Sequence, residues 1–267
     1  MSQSDKPTDR TRACQPGFHG AVAFYDRYRL AYPQRLIDRV IQLASLKPGD
    51  AVLDLGCGTG MLAIAFARAG MKVTAMDPEP EMLAAAQVCA ESAGVAITAI
   101  LGGSGDLVPA MGPFRLAVMG RSFHWMDRPA TLAMLDCIVT RDGGVALFHD
   151  AHPPVAENDW FKVLCEVQAK YRRQPRSNGG HKRYEPFLFA SVFTQLDGLS
   201  VTIRQPVSAE EIVGRAFSMS ACSPQQLGDA QEAFADELLS ALRDLSPDGK
   251  FTEVAELVAV LARRPKE

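Results

Sequence analysis

With 267 residues, 47% hydrophobic and 22% charged, the chain has the make-up of one large α/β domain or one domain with an elaborated cap. A formal net charge of −3 leaves no general basic field for nucleic acid, and no apolar run reaches the ~18 residues that span a bilayer. Six cysteines (Cys14, Cys57, Cys89, Cys137, Cys165 and Cys222) without a C-x-x-C pair argue against a disulfide framework or zinc knuckle, and for small core residues in a reducing, cytoplasmic setting.

Residues 1–15 are polar, lack the apolar stretch of a secretory signal, and read as a disordered tail. After Tyr25-Asp26-Arg27-Tyr28-Arg29 and Tyr32-Pro33, the apolar Leu36, Ile37, Val40, Ile41 and Leu43 recur at helical spacing. Pro48-Gly49-Asp50 is a turn. Then comes the most informative stretch, Val52-Leu53-Asp54-Leu55-Gly56-Cys57-Gly58-Thr59-Gly60. An apolar strand ends in an acid, a loop has glycine at alternate positions, and residues 61–70 read as a helix with a glycine stop. Such a turn lets a ligand approach the backbone. The spacing is D-x-G-x-G-x-G rather than the dinucleotide G-x-G-x-x-G. A carboxylate at Asp54 repels a phosphate but accepts a hydrogen bond from an ammonium group, which disfavours NAD.

Residues 72–76 read as a second strand ending at Asp77, about 20 residues past the glycine turn, where a carboxylate can accept ribose hydroxyls. Pro78 and Pro80 suit the first turn of a helix that carries Met82, Leu83, Ala86 and Val88 and stops at Gly94. Strand three, over 95–101, precedes the loop Gly102-Gly103-Ser104-Gly105-Asp106-Leu107. Strand four, over 114–119, leads into Gly120-Arg121-Ser122-Phe123-His124-Trp125. A helix over 131–139 and the turn Asp142-Gly143-Gly144 precede strand five at 145–149. Strands alternating with helices predict a parallel, doubly wound sheet with right-handed crossovers.

Beyond Asp150 the rhythm changes. Residues 160–173 predict an amphipathic helix, and 174–183, with Ser177-Asn178-Gly179-Gly180, a mobile polar loop that closes with 25–32 over bound ligand. Residues 199–204 are strand-like, and Ser208-Ala209-Glu210-Glu211 forms a capping box before the segment 212–217. Residues 225–245 read as a helix and 252–262 as a closing strand.

These motifs together resemble the class I S-adenosylmethionine (SAM)-dependent methyltransferases, in particular the small-molecule, type 11-like branch. Tyr25-Asp26-x-x-Arg29-x-x-Tyr32-Pro33 is similar to that branch's entry segment, with Leu30 where proline is common, and Ser122-Phe123-His124-Trp125 is similar to its A-x-H-W stretch. The resemblance implies a Rossmann-like α/β fold with a mostly parallel seven-stranded sheet and a helical cap inserted after strand five. It divides the chain into a tail (1–20), a SAM-binding core (21–150), a cap or substrate insertion (151–198) and the rest of the core (199–267). It implies that Gly56, Gly58 and Gly60 pack against the methionine portion of SAM. By the same resemblance Asp77, with Pro78 beside it, holds the ribose. Gly105 and Asp106 read the adenine edge, Gly120 lies beside the cofactor, and Arg29 pairs with its carboxylate.

The implied reaction is methyl transfer from SAM to a small-molecule acceptor, leaving S-adenosylhomocysteine, by a monomer or homodimer that needs no metal, nucleic acid or membrane. The other reading is a SAM-binding regulatory or partner protein without methyl transfer. Base candidates at the C-terminal ends of strands are His124, His149 and His152, with His124 as the expected substrate-facing residue. The expected acceptor pocket lies between residues 160–193 and Phe123, His124 and Trp125.

Overall fold

A computed structural model describes residues 24, 27–171, 184–219 and 222–265. After a proline-led helix, α1 (Gln34–Leu43), the chain enters β1 (Ala51–Leu55) and then α2 (Met61–Arg68). β2 (Lys72–Asp77), α3 (Pro80–Ser92) and β3 (Thr98–Leu101) complete the first half. β4 (Phe114–Gly120), α4 (Arg128–Ile138) and β5 (Val139–Ala151) follow. The remainder is α5 (Asp159–Tyr171), α6 (Glu185–Phe189), β6 (Gln195–Ser208), α7 (Ala209–Phe217), α8 (Pro224–Leu227), α9 (Gln231–Leu245) and β7 (Lys250–Arg263).

The seven strands form one sheet in the order β3-β2-β1-β4-β5-β7-β6. β1 pairs in parallel with β2 and β4, while β7 runs antiparallel between β5 and β6. The order reverses at β1, so the C-terminal ends of β1 and β4 diverge and open the crevice where open α/β sheets bind ligands. Successive strand residues serve opposite faces. Val52 joins Leu36, Phe66, Phe148 and Leu257 on one face, while Leu53 joins Phe114, Leu135, Leu147 and Phe193 on the other.

A third apolar cluster joins Trp160 and Leu164 of α5 to Ile212 and Phe217 of α7 and Phe234 and Leu238 of α9. The β6–β7 connection therefore packs its helices against the segment after β5. Ser208 caps α7 as its spacing predicts: its hydroxyl accepts from Glu211 N–H at 3.1 Å, and Glu211 Oε2 accepts from Ser208 N–H at 2.8 Å.

Several bounds differ from the sequence reading. Pro80, not Pro78, opens α3, because Glu79 is still extended at φ −94°. The helix expected over 225–245 is interrupted by the short turn Gly228–Ala230, where Gly228 takes φ 55°. Asp142-Gly143-Gly144 is no turn before β5 but lies within it. A Cβ at Gly143 would stand 2.6 Å from Arg115 O, and one at Gly144 2.6 Å from Ala262 O, so glycine there permits close strand approach. β6 begins at Gln195, four residues ahead of the expected start, because its pairing with β7 runs unbroken from Gln195↔Arg263 to Ser208↔Lys250. The polar loop expected over 174–183 lies outside the described residues, as do Tyr25 and Asp26.

Candidate functional site: a cleft between the ends of β1 and β4

The glycine loop extends the sheet's ladder before it turns. Gly56 and Cys57 N–H both donate to Met76 O, at 2.7 and 3.0 Å. Gly56, Gly58 and Gly60 take φ of 71°, 55° and 84°, left-handed values that cost other residues energy. A Cβ on Gly56 would meet Ser122 Cβ at 2.5 Å, and one on Gly60 would meet Ala86 Cβ at 3.1 Å. The loop is thus pressed between the exit of β4 and α3.

Asp54 is 1% exposed. Its Oδ2 accepts from Ala63 N–H at 2.8 Å, the third residue of α2. The acid thereby takes a donor at the helix N-terminus that a dinucleotide fold would offer to a phosphate. Oδ1 has no hydrogen-bond partner among the described residues. Burial pushes the carboxyl up to about 7; the Ala63 N–H offsets part of this, and the nearby Asp77 adds to it.

Asp54, Gly56 and Cys57 line one narrow cleft together with Met61 and Leu62 of α2, Tyr32 of the entry segment, and Gly120 and Arg121 at the end of β4. Burial and the carboxylates of Asp54 and Asp77 raise the Cys57 thiol far above its ordinary value, so it is an inert wall. A Cβ on Gly120 would stand 2.8 Å from Leu62 Cδ1 and 3.5 Å from the Tyr32 hydroxyl. A side chain there would have to displace the Leu62 methyl group.

Asp77 ends β2 and is 7% exposed. Its Oδ2 accepts from Gly58 N–H at 2.8 Å and its Oδ1 from Glu79 N–H at 3.0 Å. It ties the glycine loop to the start of α3, and each oxygen keeps a further lone pair. Asp106 is exposed, and its Oδ2 accepts from Gly103 N–H at 2.8 Å, closing the turn that contains Gly105. Pro78 lies against this turn: a Cβ on Gly103 would be 3.8 Å from Pro78 Cβ.

Arg29 is not among the residues that line the cleft. Its Nη2 donates to Ser218 O at 2.8 Å, just beyond α7. The guanidinium in the cleft wall is that of Arg121, which sequence reasoning passed over. Its signal was position alone, directly after the glycine that ends β4.

The expected acceptor wall splits in two. Trp160 is fully buried in the third apolar cluster, its indole donating to Thr252 O at 3.1 Å, and Phe161 stacks on His152 at 4.3 Å. Tyr184, Leu188 and Phe193 instead pack on the opposite sheet face. There Tyr184 meets Phe123 at 5.4 Å and His149 at 6.1 Å between ring centroids. His124 lies in the short turn Phe123–Trp125, its ring 4.8 Å from that of Trp125, which is 69% exposed. His152 is committed elsewhere: its Nε2 is 2.7 Å from Glu253 Oε1.

With this geometry in view, comparison with known proteins shows what the cleft region is similar to. A family profile described as a methyltransferase domain matches residues 52–144, from β1 into β5, which takes in every cleft-lining residue named above except Tyr32. Residues 52–144 are thus similar to a methyltransferase domain, in keeping with the resemblance to the class I SAM-dependent methyltransferases. An uncharacterized methyltransferase of Mycobacterium bovis is 35% identical over 128 residues, 48% of this chain and 49% of that protein. The malonyl-[acyl-carrier protein] O-methyltransferase of Serratia marcescens is 32% identical over 146 residues, 54% of this chain and 55% of that protein. The chain thus spans about half the length of the curated relatives it matches. A solved structure of a putative type II methyltransferase from Anaeromyxobacter dehalogenans shares the fold, with a TM-score of 0.59 at 17% identity over 89% of this chain and 98% of that one. No helix among the described residues is long and apolar enough to cross a membrane.

Proposed function

We propose that the chain transfers a methyl group from SAM to a small-molecule acceptor. The observation that carries this reading is the cleft itself. A buried acid with an unpartnered oxygen, two tight glycines and a guanidinium converge on it, and the helix N-terminus that would bind a phosphate is already taken by Asp54. A zwitterionic amino-acid end fits these groups, whereas a pyrophosphate would face the acid.

Asp54 Oδ1 accepts from the ammonium group, and the Gly56 and Gly58 backbone packs beside the thioether. Asp77 accepts from the ribose hydroxyls on its remaining lone pairs, with Pro78 at its side. Gly105 and Asp106 border the adenine. When bound, SAM supplies a methyl on a sulfonium whose leaving group is a neutral thioether. The protein's task is then to aim the acceptor along the C–S bond and keep water out. Gly120 leaves room at the end of β4 for that approach. His124 and His149 flank this end on the Phe123–Tyr184 side, and His124 receives the acceptor's proton where the acceptor is a hydroxyl. The location is cytoplasmic and the assembly a monomer or homodimer in this reading. The 151–198 segment and the β6–β7 connection select the acceptor.

Calorimetric titration with SAM, S-adenosylhomocysteine and NAD tests the reading. It requires both sulfur ligands to bind more tightly than NAD, and a preference for NAD would overturn it.

A further inference from the structure

We infer that Arg121, aimed by Asp150, is the residue that holds the carboxylate of the ligand's amino-acid end. This rests on the cofactor reading above and replaces the expectation placed on Arg29.

The backbone points to it first. Arg121 takes φ 57°, a left-handed conformation that is uncommon for a long side chain. Its N–H still donates to Phe148 O at 2.9 Å, so the strand pairing reaches the kink and stops there. Glycine would hold the same turn without strain, and strained residues of this kind cluster at ligand clamps. The kink turns the side chain back over the cleft rather than into solvent.

The side chain is then fixed on three sides. Nε donates to Asp150 Oδ1, and Nη2 donates to Leu30 O at 2.8 Å. The guanidinium plane lies 4.6 Å from the centre of the Tyr32 ring. Nη1 faces the Met61 thioether sulfur at 4.0 Å, a weak acceptor that a carboxylate oxygen readily displaces. Burial alone would push the Asp150 carboxyl up. Arg121 first, then Arg29 and His152, hold it well below the usual carboxylate range. Asp150 is therefore a fixed anion that orients Arg121, and Arg29 offsets part of its charge without entering the cleft.

The same cleft carries Asp54 on its other wall. An acid and a guanidinium on opposing walls suit an α-amino acid, whose ammonium and carboxylate sit on one carbon. Arg29 is not among the residues that line the cleft, and its Nη2 donates to Ser218 O.

The test compares two thioethers that share an adenosine: S-adenosylhomocysteine, which has the amino-acid end, and 5′-methylthioadenosine, which lacks it. Calorimetry on the wild-type chain, Arg121→Lys and Arg121→Gln reads both affinities. The lysine variant keeps a cation for Asp150 but loses the planar fork. The inference expects S-adenosylhomocysteine to bind at least about tenfold more weakly to both variants, with 5′-methylthioadenosine within about twofold of wild type. Equal losses for the two thioethers, or no loss for either, would overturn the assignment while leaving the cofactor reading intact. A wild-type chain that binds neither thioether overturns the cofactor reading and this assignment with it.

Discussion

The two ends of the sheet satisfy their acids in opposite ways. At the β1–β3 end the partners are backbone N–H groups: Ala63 for Asp54, Gly58 and Glu79 for Asp77, Gly103 for Asp106. At the β5–β7 end they are side chains from distant segments. Glu253, fully buried, accepts from Arg215 Nη1, from Arg215 Nη2 at 3.0 Å and from Gln205 Nε2 at 2.9 Å, beside His152. Arg215 Nε also donates to Tyr28 O at 3.1 Å, so the cluster ties α7 to the entry segment. Backbone donors leave oxygens over for a ligand. A closed ring of side chains leaves none, and so it serves to anchor.

The difference makes the two regions respond oppositely to pH. Burial raises the Asp54 carboxyl, so its contribution to stability is full below the ordinary value of 3.8 and is lost as pH rises through about 7. Burial also works against Glu253, but His152, Arg215 and Gln205 together hold it below its ordinary value of 4.5. Its contribution is present above 4.5 and is lost as pH falls toward its depressed folded value.

Breaking the ring gives the largest expected effect. Glu253→Gln strands the buried Arg215 and should cost about 3–5 kcal/mol in urea unfolding at pH 7. Asp54→Asn in the same assay should cost at most about 1 kcal/mol. Its amide oxygen keeps the Ala63 N–H, and the native group is already part-protonated there. A Glu253 variant as stable as wild type would mean that the ring is not an anchor.

A smaller effect sharpens the contrast, because one device at the β5–β7 end is local. Ser208→Ala removes the α7 cap and should cost about 1 kcal/mol, with the denaturant slope unchanged. A loss as large as that of the Glu253 variant would show that the cap and the ring act as one unit.

The same contrast explains what the sequence made legible. The cleft's acid and glycines and Asp77 lie within one strand–helix–strand unit, and the Ser208–Glu211 box within one helical turn, so spacing exposes them. Arg121 with Asp150, and Arg215 with Glu253, meet only because β4, β5, α7 and β7 converge. Nothing in local spacing marks such pairs, whereas Arg29 stands in a recognisable sequence motif. The aromatics at 160–193 likewise gave no sign that they divide between the third apolar cluster and the far face of the sheet. Composition reports that apolar surface is buried, not against which partner.

The most direct test of the central claim, that Asp54 receives the ammonium of a sulfur cofactor, is S-adenosylhomocysteine affinity as a function of pH. An acid held near 7 must lose its proton to meet an ammonium group, so binding should release a proton and tighten by about tenfold between pH 6 and pH 8. Asp54→Asn should bind weakly at both. Affinity that is flat across this range in the wild-type chain, or that weakens as pH rises, would contradict the account.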